Sequence, residues 1–234
     1  LLRSPGGRRI GVIVNDFGSV AIDADLLAGA TADGDVIGLA NGCVCCTVAT
    51  GLHDALRTIA ARDVDHVVIE VSGVADPAVA AAWGTVPPFE PAGVVVLVAA
   101  DQVLTLRRDR YVGREVRRQI AGADLLLVTK GDRIDERRLG AVEDWLAAQS
   151  PAPRVQVVHG DVPVDVVLGV RPEVTTAGTA GPNGEASRGG AHDDEQYRSW
   201  SWSSELPVSR AALDAVLERL DPRVLRVKGW VGLD

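Results

Sequence analysis

Methionine is absent from the whole chain, and phenylalanine and tyrosine occur only twice each. A chain that opens Leu1-Leu2-Arg3 with no methionine is expected to be a piece of a longer product, and its end, Val227-Lys-Gly-Trp-Val-Gly-Leu-Asp234, reads as a strand and turn in mid-domain. No apolar run is long enough to span a bilayer, and the first residues do not read as a secretory leader. Basic residues are in deficit. With 24 Lys and Arg against 32 Asp and Glu, the formal charge is -8, which argues against nucleic acid or an anionic membrane as the main partner. Cysteine is scarce too, and the three present cannot all pair within the chain; a reducing, cytoplasmic home is the simpler expectation. Apolar residues nevertheless make up 47% of the 234, enough for a real core, and 25 glycines with 12 prolines imply many turns.

Short runs rich in β-branched residues and leucine, at 9–15, 65–70, 93–99, 124–129 and 154–158, read as buried strands. Between them lie helical patterns at 48–62, 76–83, 103–121 and 136–149, the last with Asp135 as N-cap, and a short helix is expected at 162–168. This alternation predicts an α/β fold: βα units around a mostly parallel sheet with helices on both faces. Three units are expected: 1–170, a linker at 171–196 rich in Gly, Thr, Ala and Ser, and an incomplete α+β domain at 197–234. In the last, Trp200 and Trp202 are expected to fill the core beside a strand at 200–203. A helix at 209–220 follows, with Ser209 as N-cap and Ala212, Leu213, Val216, Leu217 and Leu220 on its apolar face, and then a strand at 224–231.

All three cysteines fall in Asn41-Gly-Cys-Val-Cys-Cys-Thr47. Cys43, Cys45 and Cys46 offer three soft ligands, one short of a tetrahedral set, with Gly42 able to take the sharp bend that neighbouring thiolates require. Water, Asp16, Glu70, a histidine or a partner's group can supply the fourth. An open site of this kind suits a transferred ion more than a structural one. It does not by itself select zinc, cobalt or copper. Unliganded small residues in a turn, or a redox pair at Cys45-Cys46, are the plainer alternatives.

Carboxylates mark three predicted strand ends. Asp16 follows the first strand in Asn15-Asp-Phe-Gly18. Glu70 closes His66-Val-Val-Ile-Glu70, ahead of Ser72-Gly73. Asp132 follows the strand at 124–129 in Thr129-Lys-Gly-Asp132. Ligands bind at the carboxyl ends of such strands. There Asp132 can accept from N1–H and the 2-amino group of guanine while the Lys130 stem covers the base. Glu70 or Asp16 can hold Mg²⁺ or position an attacking water, and Gly73 lets the backbone approach a γ-phosphate. Each alone reads equally well as a solvated turn; three together form a cation and nucleotide face. The arginines at 107, 108, 110, 114, 117 and 118 crowd one predicted helix and can form a docking face, with salt-bridged surface as the default. His53, His66, His159 and His192 are weaker signals. A nicotinamide oxidoreductase is disfavoured, because no Gly-x-Gly-x-x-Gly follows an early strand.

Together these segments resemble the CobW-like metallochaperone branch of the P-loop GTPases. Val14-Asn-Asp-Phe-Gly18 with Asp23 is similar to that family's Asn-Glu-x-Gly segment, and Asn41-Gly-Cys-Val-Cys-Cys46 matches its Gly-Cys-x-Cys-Cys metal motif. Glu70-Val-Ser-Gly73 with Ala75-Asp-Pro77 resembles its Walker B stretch. Thr129-Lys-Gly-Asp132 stands for its Asn-Lys-x-Asp guanine motif, and Leu225-Arg-Val-Lys-Gly229 for its C-terminal Arg-x-Lys-Gly strand. Thr129 replaces the usual Asn, Ala99-Ala100 replaces Asp-Ala so that any role of that aspartate is absent here or passed to Asp101, and the His-rich run is reduced to His192. The Gly-x-x-Gly-x-Gly-Lys-Thr phosphate loop does not occur in these residues; in the family it precedes a segment like Leu1-Leu-Arg-Ser4. The resemblance implies a P-loop-NTPase-like GTPase with GTP and Mg²⁺ at Asp16, Glu70, Gly73, Thr129, Lys130 and Asp132. It further implies Zn²⁺ or Co²⁺ at Cys43, Cys45 and Cys46, a client apo-metalloprotein as partner, and room for a homo-oligomer. Without the phosphate loop, the residues present are expected not to turn over GTP.

Overall fold

The computed structural model describes residues 2, 5–15, 36–39, 47–71, 81–82, 84–170, 202–204, 206–221, 224, 227 and 231–234. Five of the expected strands are present within a residue or two of their predicted bounds: β1 (Ile10–Asn15), β3 (His66–Glu70), β4 (Val95–Ala99), β5 (Leu125–Thr129) and β6 (Arg154–Val157). A sixth, β2 (Val36–Leu39), was not anticipated; its four residues, Val-Ile-Gly-Leu, are a short apolar run of the same kind as the others.

Every hydrogen-bonded pair of these strands is parallel, and among the described residues they form two three-stranded sheets, in the orders β2-β1-β3 and β4-β5-β6, where one sheet was expected. Parallel neighbours need crossovers, and the helices supply them. In the first sheet, α1 (Thr47–Ala60) puts Leu52, Ala55, Leu56 and Ile59 at one-turn spacing against Ile13. It approaches so closely that a Cβ on Gly11 would lie 3.1 Å from Ile59 Cδ1. The alternate residues Ile10, Val12 and Val14 face the other way, toward Val164 and Leu168 of α5 (Val164–Leu168).

The second sheet is likewise covered twice. Val98, Leu126 and Val128 pack with Val103 of α2 (Val103–Leu106), Ile120 of α3 (Gly113–Ala121), and Val142 and Leu146 of α4 (Glu136–Gln149). Leu125, Leu127 and Val157 pack on the opposite face with Val162, Val167 and Val170. As the central strand, β5 is buried on both sides, which is why Leu-Leu-Leu-Val carries no polar alternation. Helix α5 therefore touches both sheets, with Val164 and Leu168 on one and Val167 on the other.

The single helix expected at 103–121 is broken. Asp109 Oδ1 accepts from the backbone N–H groups of Tyr111 (2.7 Å) and Val112 (3.1 Å), a local bond that competes with helix continuation. The chain then folds back so tightly that a Cβ on Gly113 would sit 2.7 Å from the Arg107 carbonyl oxygen. Arg117 closes the joint, its Nη2 donating to the Arg107 carbonyl (2.7 Å) and its Nη1 to that of Gly113 (3.0 Å).

The remaining expectations divide. Asp135 does cap α4, accepting from Arg138 N–H at 2.7 Å, and Ser209 caps α6 (Arg210–Glu218), accepting from Ala212 N–H at 3.2 Å. Residues 202–204 form no strand, and Trp202, expected in a core, is 62% exposed. The apolar face of α6 is open as well: none of its residues is buried among the described ones. No strand is assigned to the described residues of 224–231; Leu233 instead bridges Val208 in parallel. The expected helix at 76–83 and the linker at 171–196 lie mostly or wholly outside the described residues. Among the described residues no helix is long and apolar enough to cross a membrane.

Candidate functional site

The carboxyl ends of the strands hold the described candidates. Register pairs Ala99 with Thr129 and Thr129 with Val157, so β4, β5 and β6 end level with one another. At this edge the Thr129 hydroxyl donates to the Val98 carbonyl at 3.2 Å, and its carbonyl accepts from Ala100 N–H at 2.9 Å. Lys130 then adopts a left-handed backbone, φ 57° and ψ 24°, a conformation that costs a non-glycine residue about 1 kcal/mol. That turn starts a 3-10 segment, Gly131–Arg133, which leaves Asp132 exposed at the rim. Its carboxylate has no protein partner among the described residues. His159, just past β6, is also left-handed at φ 52°. Strained residues at the ends of two adjacent strands are the kind of feature that gathers at ligand sites.

Asp101 adds a second carboxylate here, two residues past β4. Its side chain is 19% exposed, Oδ2 lies 3.9 Å from Arg133 Nη1, and Oδ1 is buried with no hydrogen-bond partner among the described residues. Its own carbonyl accepts from Arg138 Nη2 at 3.0 Å. Sequence reasoning weighed Asp101 only as a stand-in for a missing neighbour. The signal that singled out Glu70, an acid at a strand's carboxyl end, applied to it equally.

Glu70 closes β3 in the other sheet, exposed and level with Val14 of β1. Thr129, Lys130 and Asp132 are thus brought together on one sheet edge, while Glu70 stands at the edge of its own sheet. Asp16, Gly73, Cys43, Cys45 and Cys46 lie outside the described residues. Among the described residues no three His, Cys, Asp or Glu side chains gather as a metal site.

The opposite end of the first sheet is held by charge. The Asp65 carboxylate accepts from Arg9 N–H at 2.8 Å and pairs with the Arg9 guanidinium at 3.6 Å, while Asp63 bonds the same guanidinium. The Arg9 N–H holds the Asp65 carboxyl below the usual carboxylate range, with its guanidinium assisting. The hydrogen bond from the Arg9 side chain does the same for Asp63, and the reciprocal bond raises Arg9.

Parallel strands wrapped by helices on both faces make this an α/β protein, a class in which ligands bind at the carboxyl ends of the strands, where the strained polar turn lies. The model of the CobW/HypB/UreG nucleotide-binding domain matches residues 1–157, well over half of the chain, and the chain belongs to that family. Among curated relatives, the zinc chaperone CobW of Pseudomonas aeruginosa is 30% identical over 276 aligned residues, covering 100% of this chain and 72% of its own. A zinc chaperone CobW from Sinorhizobium sp is also 30% identical, over 268 residues, covering 98% and 75%. The Zn(II)-bound YjiA GTPase from E. coli aligns with 94% of this chain and 70% of its own at 19% identity, with a TM-score of 0.47.

Proposed function

We propose that this chain belongs to a GTP-hydrolysing metallochaperone that binds a divalent transition metal, zinc or cobalt, through Cys43, Cys45 and Cys46 and delivers it to a client metalloprotein. The observation that carries the reading is the Thr129–Asp132 turn. It lies at the carboxyl end of the central strand, its backbone is strained at Lys130, and its carboxylate is unengaged. Family membership supports the nucleotide part, and the name zinc chaperone carried by the curated relatives supports the metal part.

In this reading Asp132 accepts from N1–H and the 2-amino group of guanine, a donor pair that adenine lacks, and the Lys130 stem lies along the base. Gly73 lets the backbone near the γ-phosphate. Glu70, an exposed carboxylate at a strand end, fits the hard oxygen donors that Mg²⁺ takes, and Asp16, outside the described residues, is given the same role. Mg²⁺, when bound, offsets charge on the phosphate oxygens. Water attacks the γ-phosphorus, the bond to the bridging oxygen breaks, and GDP and phosphate leave. The segment 16–46 runs from the Mg²⁺ residues to the thiols. GTP orders it and gathers the three thiolates around the cargo ion; hydrolysis loosens it and frees the ion for the client.

One observation favours a second reading, a non-catalytic zinc-binding or storage protein with a degenerate nucleotide site. The Thr129 hydroxyl gives its one donor to the Val98 carbonyl and keeps only acceptor capacity, where an amide would offer both a donor and an acceptor. Competition of GDP and ADP for the protein, measured beside zinc stoichiometry in the Cys43→Ser/Cys45→Ser/Cys46→Ser variant, separates the two. The GTPase reading predicts guanine preference with thiol-dependent metal. Thiol-dependent metal without guanine binding supports the storage reading, and thiol-independent metal binding contradicts both.

A further inference from the structure

The pair α2–α3 and its joint carry six arginines against two carboxylates, Asp109 and Glu115, in a chain whose net charge is -8. Salt bridging is the ordinary fate of such a run, and here it reaches only Arg118 among the described residues. Asp109 spends its Oδ1 on the N–H groups of Tyr111 and Val112. Glu115 is buried and pairs with Arg118 at 2.5 Å. Arg107 lies 5.2 Å over the Trp145 ring, and Arg117 is held by two backbone carbonyls. Arg108, Arg110 and Arg114 remain, all exposed and with no carboxylate partner among the described residues. The Arg110 guanidinium rests on Tyr111, which is itself 53% exposed.

We propose that this arginine-tyrosine face docks an acidic segment of a partner protein. The guanidinium fork matches a carboxylate through two parallel bonds, and Arg with Tyr is the composition that dominates interface hot spots. Both acids of the segment are already engaged within the fold, so the unpaired arginines keep their charge for an incoming anion. A long polyphosphate chain fits less well, because outside this face the chain is more acidic still, and Tyr111 is the only aromatic at 103–121 for a base to stack on. An anionic bilayer fits less well too, because no large aliphatic side chain at 103–121 is exposed to enter it. Naming the acidic partner as the client rests on the delivery reading above; the surface argument does not.

The test uses the full chain, free of metal and nucleotide, and three probes: a fluorescein-labelled Glu-Gly repeat peptide, a labelled oligouridylate of equal charge, and phosphatidylserine vesicles. The peptide is expected to bind best, with affinity falling about tenfold or more between low and moderate salt. The Arg108→Glu/Arg110→Glu/Arg114→Glu variant should lose about tenfold or more again, and the milder Arg108→Gln/Arg114→Gln pair should fall between, with unchanged circular dichroism. Arg57→Glu, on the exposed side of α1, should bind as the unaltered protein does. Undiminished peptide binding by both variants, no peptide binding, or stronger binding of the oligonucleotide or vesicles would overturn the proposal. Because metal and nucleotide are absent, a failure of metal–nucleotide coupling leaves this result standing.

Discussion

Replacing Asp132 by asparagine swaps one carboxylate oxygen for an NH₂ donor at a position that does nothing else for the fold. Asp132 is exposed in the 3-10 turn Gly131–Arg133 and makes no bond to another described residue, so unfolding free energy should change by no more than about 0.5 kcal/mol. The cost falls on the ligand. A guanine base presents two donors to the carboxylate; with asparagine one acceptor is lost and a donor faces a donor. A hydrogen bond to a charged group is worth roughly 1.5–3 kcal/mol, so the loss should be about 2–3 kcal/mol, or roughly 30- to 150-fold in GDP affinity. Xanthine carries a carbonyl where guanine carries its 2-amino group, and it should gain from the new donor, so the preference between GDP and XDP should invert. Competition titrations with GDP, XDP and ADP on both proteins, with matched urea melts, measure it. An unchanged GDP:XDP ratio, or no guanine preference in the unaltered protein, would refute the placement of the base at Asp132.

The joint between α2 and α3 should depend on Arg117: its alanine variant loses two charge-assisted bonds to carbonyls and, discounted for exposure, should cost about 1–2 kcal/mol in urea unfolding, with lysine recovering only part. Asp135→Ala, which removes the N-cap of α4, should cost about 1 kcal/mol in the same assay. Asp65 gives a pH signature. Its carboxyl is held low in the folded chain, chiefly by the Arg9 N–H, so its stabilising contribution is complete above the ordinary carboxylate pKa and is lost as pH falls through the lower folded value. Asp65→Asn should therefore be less stable than the unaltered protein at neutral pH and converge with it in acid; a gap that widens in acid would contradict the assignment.

Continuous apolar runs were the most legible part of the fold. Leu125–Val128 is uniform because the strand is buried on both faces, and that uniformity is visible without coordinates. Capping chemistry was equally legible at Asp135 and Ser209, where a short side chain precedes a helical pattern. The break at 107–113 was not, because Asp109 bonding its own backbone and Gly113 meeting the Arg107 carbonyl are matters of local geometry that the 3.6-residue pattern averages over. Strand β2 escaped notice for its brevity. The division into two sheets was hidden too, since periodicity reports which residues are buried but not which strands share an edge. At the site, the spacing of Thr129, Lys130 and Asp132 was readable, whereas the left-handed Lys130 and the buried Oδ1 of Asp101 needed the fold. The arginine run was readable as a run; that its acids were already engaged was not.

The coupling of cargo to nucleotide is tested most directly by titrating Zn²⁺ and Co²⁺ into the reduced protein against a chelating dye, once with GTP and once with GDP. The account predicts metal affinity higher by about tenfold or more with GTP, lost in the Cys43→Ser/Cys45→Ser/Cys46→Ser variant. Equal affinities in the two nucleotide states would contradict it.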